Sequence, residues 1–196
     1  MARKSTEIRQ EEIKTAVLSI IRNDGIKAIS TKNLAKETGL SEGAIFRHFK
    51  TKRDIIMSII NDVSEQLIHK LKEISESDDD PEKRLLKYLC STITYLTDHN
   101  GITILLFTEA SQSGDKEMME KLSCIFASQR EHAGKIISDG IAQNIWSDKI
   151  PVEDITILYM GIPITHNINL VLSKNKAHID NYCQKMLVMI LKVLQK

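Results

Sequence analysis

Residues 34–52 read LAKETGLSEGAIFRHFKTK, and the break in their middle decides the fold. Leu34 and Ala35 belong to one helix; Gly39 ends it, and Ser41 starts another after a single leucine. Gly39 tolerates the positive φ that so tight a turn demands. Ser41 offers a side-chain acceptor to the free N–H groups of the next helix's first turn. Ala35 is small where two helices cross at close range, and Leu34, Leu40, Ile45 and Phe49 can bury against a preceding helix. That leaves Glu42, Gly43, Ala44, Arg47 and His48 outward or at the start of the second helix. This is the layout of a helix-turn-helix. A plain helical hairpin shares the same break, so the break alone leaves both readings open.

The flanking segments are helical as well. From Thr6, the positions Ile8, Ile13, Ala16, Val17, Ile20 and Ile21 form a stripe of 3.6-residue period. Gly25 suits the left-handed position past the end of that first helix. Ser30 caps a second helix expected over Thr31–Thr38, and Ser41 a third over Glu42–Phe49. A fourth is expected from about Lys52 to Ser75. The run SESDDDP at 75–81 is the clearest break, with Pro81 fit to open a fifth helix and the acids before it suited to that helix's positive end. The fifth runs to about Asp98, and Asn100-Gly101 closes it. A sixth is expected over Ile102–Ser111 and a seventh over Asp115–Asn144. An eighth runs from Pro151 to Ser173, kinked at Pro163, and a ninth covers Ala177–Leu194. The expected class is all-α, with about nine helices divided into a three-helix head over residues 1–52 and a longer helical body over 53–196.

Composition narrows the function. With 196 residues, 42% hydrophobic and 27% charged, the chain is ordinary for a globular protein and able to bury a core without disulfides or metals. Cys90, Cys124 and Cys183 are far apart, odd in number and without metal-ligand spacing. Each lies in an apolar stretch and reads as a small core residue. His69, His99, His132 and His178 stand alone, with no partner at i+4 that would make a metal pair, and no GxSxG or Gly-rich phosphate loop occurs, so no enzyme, metal or cofactor is expected. No apolar run long enough to span a bilayer is apparent, and Met1-Ala2-Arg3-Lys4-Ser5 leads into a charged segment rather than a secretory signal. A cytoplasmic protein without a membrane partner is expected. The net charge of +1 is unevenly divided. Residues 1–53 hold 12 Lys/Arg against 6 Asp/Glu, or +6; the remainder holds 15 against 20, or −5. A basic end on an acidic body suggests one region facing a polyanion.

A recognition helix meets base edges with its early residues. Gly43 and Ala44 permit close approach, Ala44 can touch a thymine methyl, and Arg47 can offer a paired donor to guanine. Glu42 either accepts from a cytosine amine or only favours the helix N-terminus. Thr31 can hold a phosphate with its hydroxyl and backbone N–H, and Lys52 a second phosphate. His48 either reaches a phosphate or packs against the fourth helix. Lys32, Ser41 and Phe46 complete the expected DNA-facing set.

In order and spacing, Gly25, Ser30-Thr31, Leu34-Ala35, Gly39-Leu40-Ser41, Gly43, Ile45-Phe46, His48-Phe49 and Lys52 resemble the TetR-type bacterial and archaeal transcriptional regulators. The resemblance covers about residues 6–56; the rest is similar only in helix count, length and order. It implies a three-helix DNA-binding head, a linking fourth helix, a helical ligand-binding body and a homodimer formed through the last two helices. One position departs from it. The family usually has Tyr where Phe46 stands, and a phenylalanine lacks the hydroxyl that bonds a DNA phosphate.

The body holds Tyr88, Thr92, Tyr95, Leu105, Phe107, Met119, Leu122, Phe126, Tyr159 and His166, a mixture of aromatic, flexible and polar side chains suited to line a ligand pocket. Glu109 is the one acid expected to face inward. Plain core is the other reading of each residue. The last two helices carry Ile157, Ile164, Ile168, Val171, Leu187, Ile190, Leu191 and Leu194, more apolar surface than one monomer needs, which marks an interface between copies. The expected function is a homodimeric repressor that reads a palindromic operator and is released by a small, largely apolar effector. An architectural DNA-binding protein with the same head and no ligand is the alternative.

Overall fold

The computed structural model describes residues 5–99, 102–173 and 181–195, all helix and connecting turns. Helices α1 (Thr6–Asp24), α2 (Thr31–Thr38) and α3 (Glu42–His48) form the head. Ser5 caps α1 by accepting from the Ile8 N–H, and Gly25 ends it at φ 83°. Ile13, Ala16, Val17, Ile20 and Ile21 are the buried face of α1, as the stripe required, whereas Ile8 is exposed.

The expected fourth helix is one helical run that changes pitch. Helix α4 (Lys52–Asp62) continues through a π turn at Val63–Ile68 into α5 (His69–Glu76). Thr51 and Asp54 close a reciprocal capping box at its start. Ile56, Ile60, Val63, Leu67 and Leu71 are buried along it. Its polar link to the head is Lys14 on α1, which is buried and paired with Asp62 and Glu11.

The rest of the body consists of α6 (Pro81–Asp98), α7 (Ile102–Ser113), α8 (Lys116–Ala142), α9 (Val152–Ser173) and α10 (Tyr182–Leu194). Asp80 caps α6, Pro81 takes its first turn, and Asp115 caps α8 by accepting from the Met118 N–H. Helix α8 ends where the ring of Trp146 lies against Gly140, leaving no room for a Cβ there. Ser147 N–H then donates to Leu194 O at 2.9 Å, tying the end of α10 to this corner. Helix α9 continues through Pro163. Asn100, Gly101 and residues 177–180, invoked for a helix end and a helix start, lie outside the described residues.

Two expectations are corrected. Cys124 is exposed, and Cys90 and Cys183 are only half-buried, so the cysteines are not simply core. Cys90 on α6 interacts with Cys183 on α10, and burial with that neighbour pushes its thiol up to about 12. Val152–Leu172 is long and apolar enough to cross a membrane, a property not seen in the sequence. In this fold the segment packs on α8 and α6, with Ile155, Thr156, Tyr159 and Met160 buried.

Candidate nucleic-acid interface

The head is built from local devices. Ser30 and Ser41 accept from the N–H groups of Asn33 and Ala44 at 3.1 and 3.2 Å, so both short helices start with a satisfied turn. Gly39 adopts the left-handed conformation at φ 66°, ψ 21° and donates to Ala35 O. Leu34, Ile45 and Phe49 are buried in the core that α1 shares, and Leu40 packs at its edge. Gln10 Nε2 of α1 donates to His48 O at 3.1 Å, which anchors the end of α3.

Packing one face of α3 inward presents the other. Glu42, Gly43 and Arg47 are exposed and Ala44 is half-exposed. Nothing lies within 4 Å of a Cβ built on Gly43, so the small residue there leaves open space on the outer face. Arg47 takes no part in the ion pairs that engage Arg9, Arg53, Arg84 and Arg130. Phe46 is 49% exposed and lies with this surface rather than in the core.

Other expected contacts are differently engaged. Thr31 Oγ1 donates to Glu42 Oε2 at 2.8 Å, joining the starts of α2 and α3. The hydroxyl expected to meet a phosphate therefore holds the carboxylate for which a base contact is one of two readings. His48 is half-buried, with Nδ1 buried and without a hydrogen-bond partner. Lys32 is exposed. Lys52 donates to Glu109 Oε1 of α7 at 2.6 Å, which turns Glu109 toward the head instead of into the body. Beside it, Arg53 pairs with Asp115 and with Glu117, the latter at 2.6 Å. The guanidinium of Arg53 holds the Asp115 carboxyl below the usual carboxylate range, aided by the Met118 N–H. Sequence reading missed Arg53, Asp115 and Glu117, since partners separated by 62 and 64 residues leave no local signal.

The expected pocket residues are not all brought together. Tyr88, Thr92, Leu105 and Tyr159 are buried. Their polar ends are satisfied: Tyr88 donates to Gln129 O, Thr92 to Tyr88 O and Tyr159 to Leu85 O. Tyr95 stacks on His99 with its hydroxyl buried and without a partner, and His166 is buried against Tyr182. Leu122 is half-buried at the core's edge. Phe107, Met119 and Phe126 are 66%, 49% and 48% exposed, and so do not join that core. A polar cleft of about 690 Å³ between the α4–α5 run and α8, lined by Ser64, His69, Lys72, Glu131, His132 and Lys135 among others, includes none of the expected pocket residues.

The helix-turn-helix geometry coincides with a sequence match. Residues 15–59 fit the family model of the bacterial regulatory proteins of the tetR family. This is a TetR-type head on a TetR-type fold. The ketosteroid transcriptional regulator KstR2 of Mycobacterium tuberculosis superposes with a TM-score of 0.80 at 16% identity, over 100% of this chain and 97% of that one. The transcriptional regulator FadR from Bacillus subtilis, solved in complex with stearoyl-CoA, gives 0.69 at 20% identity, over 94% and 96%. At such identities the likeness establishes the fold. Among curated proteins, the nucleoid occlusion factor SlmA of Shewanella halifaxensis is 25% identical over 131 residues, 67% of this chain and 66% of the relative. SlmA of Vibrio cholerae is 26% identical over 119 residues, 60% and 61%. The matched region thus spans just under two thirds of these relatives' own length.

The matched residues 15–59 include the helix-turn-helix, and these curated relatives are nucleoid occlusion factors. Among the described residues, no three His, Cys, Asp or Glu side chains come together in a group able to hold a metal ion.

Proposed function

We propose that this TetR-type regulator is a homodimeric, sequence-specific repressor, acting in the cytoplasm and released from a palindromic operator by a small, largely apolar effector. The observation that carries the reading is the outer face of α3. Gly43 and Ala44 leave room for a groove wall, and Arg47 is exposed and outside the ion pairs that engage other arginines. A bidentate donor at that place reads guanine. Residues up to about 52 supply DNA contact; those beyond supply effector response and dimerisation.

The dimer surface is the outer face of α9 and α10. Ile157 and Ile168 are exposed there, and Ile164, Val171 and Leu191 are half-buried. Leu187, Ile190 and Leu194 are buried within the monomer, so Leu158, Leu172, Val188, Met189 and Val193 take their place at the surface. A two-fold axis through this face sets two heads on one palindrome. An apolar effector is supported by the stearoyl-CoA bound to the FadR neighbour.

A second reading is favoured by the curated relatives, which are nucleoid occlusion factors: an architectural DNA-binding protein that needs no effector. One experiment separates the two. Selection of bound duplexes from a random pool should enrich a single palindrome with half-sites about one helical turn apart. Salt-sensitive binding without enrichment would instead select the architectural reading, and absence of binding at any salt would refute both.

A further inference from the structure

Lys52 and Arg53 are the first two residues of α4, and both point their charge at the body. Lys52 meets Glu109 of α7 at 2.6 Å; Arg53 meets Asp115, and also Glu117 of α8 at 2.6 Å. The three carboxylates lie on the corner between α7 and α8, which turns at Gly114 with φ 62°. Glu109 and Asp115 are mostly covered, whereas the two cations keep nearly half their side-chain surface exposed, 46% for Lys52 and 45% for Arg53. The acids are thus held by the body, and the cations have a free side. The capping box of Thr51 and Asp54 fixes the turn that carries those cations, and Lys121 of α8 donates to Asn61 at 2.8 Å further along α4.

We propose that the α7–α8 corner is a built-in competitor for DNA: its carboxylates occupy the phosphate-binding cations of α4, so that DNA and the body draw on the same two charges. The inference rests on the DNA-binding reading above and adds to it a residue, Arg53, and a regulation. Each phosphate that approaches Lys52 or Arg53 meets Glu109, Asp115 and Glu117 as like charges, which weakens the contact and lowers the number of counterions displaced. Any movement of α7 away from α4 removes that opposition. The corner therefore sets how tightly the head holds DNA of any sequence, without touching the bases.

The test uses the full chain and a random-sequence duplex at about 50 mM salt, where phosphate contacts are strong. Glu109→Gln combined with Glu117→Gln removes two of the acids and leaves Asp115 to cap α8. Two exposed pairs are together expected to raise affinity about 3- to 10-fold, on specific and random DNA alike. The plot of log affinity against log salt should steepen by about one, as freed cations release more counterions. Unchanged or weaker binding by a variant that melts like the wild type would overturn the proposal, because the pairs would then only brace the head. Failure of both wild type and variant to bind any duplex would remove the DNA-binding reading itself, and the competitor with it.

Discussion

In the head, α2 and α3 have 8 and 7 residues; in the body, α8 alone has 27. Helices of seven or eight residues do not persist alone in water, so the head depends on caps and on Leu34, Ile45 and Phe49 set against α1. The body's long helices hold themselves better and meet partners far away in sequence, such as Tyr159 with Leu85 and Arg84 with Asp139. They also leave apolar faces uncovered, as at Leu172 and Met189, whereas the head exposes charge with only scattered apolar residues, Ile8 and Phe46. The contrast shows why one end of such a chain is read from local pattern and the other only from packing.

The strongest challenge to the contrast is to charge the body's open face. Leu172→Asp with Met189→Asp places two carboxylates on exposed apolar positions, so the monomer should still fold. Sedimentation should change from dimer to monomer, and palindrome affinity should fall about 100-fold or more, given a loss of at least ~3 kcal/mol from a disrupted interface centre. An unchanged sedimentation coefficient would place the interface elsewhere.

Next in size is Ile45→Ala, which empties a site only 1% exposed in the head's core. A loss of about 2–5 kcal/mol is expected. Trp146 is the sole tryptophan and lies buried in the body. Its emission should therefore report whether the head melts by itself, with circular dichroism falling first, or draws the body with it. A single coincident transition would merge the two regions into one cooperative unit.

The body's counterpart is Gly140→Ala. An added Cβ would lie 2.2 Å from Trp146 Cε3, so the ring must shift. Overpacking of this kind costs about 1–3 kcal/mol. A changed emission maximum with DNA binding intact would confine the damage to the body; unaltered emission and stability would show that the corner yields freely.

The smallest effect concerns Asp79, ahead of α6. Hydrogen bonds from Lys83 and Lys87 depress its carboxyl from 3.8 to about 2. A carboxyl depressed in the folded state adds stability above its unfolded value, and that share is lost as pH falls from about 4 to 2. Asp79→Asn should thus lower the melting temperature slightly at pH 7 and make no difference near pH 2. An equal difference at both would assign the effect to something other than charge.

The helix starts at Ser30, Ser41 and Pro81 and the turn at Gly39 were legible because each rests on one residue and its nearest neighbours. The buried stripe of α1 was legible because a period of 3.6 needs no partner to be seen. The roles of Glu109 and Thr31 were not, since each is decided by a side chain on another helix. Phe107, Met119 and Phe126 have the composition of a pocket and the exposure of a surface, and composition does not record which way a helix is rotated.

By itself, then, the sequence determined the all-helical class, the helix-turn-helix and its outward Gly43, Ala44 and Arg47, because caps, turns and periodicity act over a few residues. Only the tertiary structure decided that Leu187, Ile190 and Leu194 are core while Leu172, Val188 and Met189 are surface, and that Lys52 and Arg53 face acids 57 to 64 residues away. Burial and ion pairing belong to the arrangement of helices in space, which apolar stripes permit but do not specify.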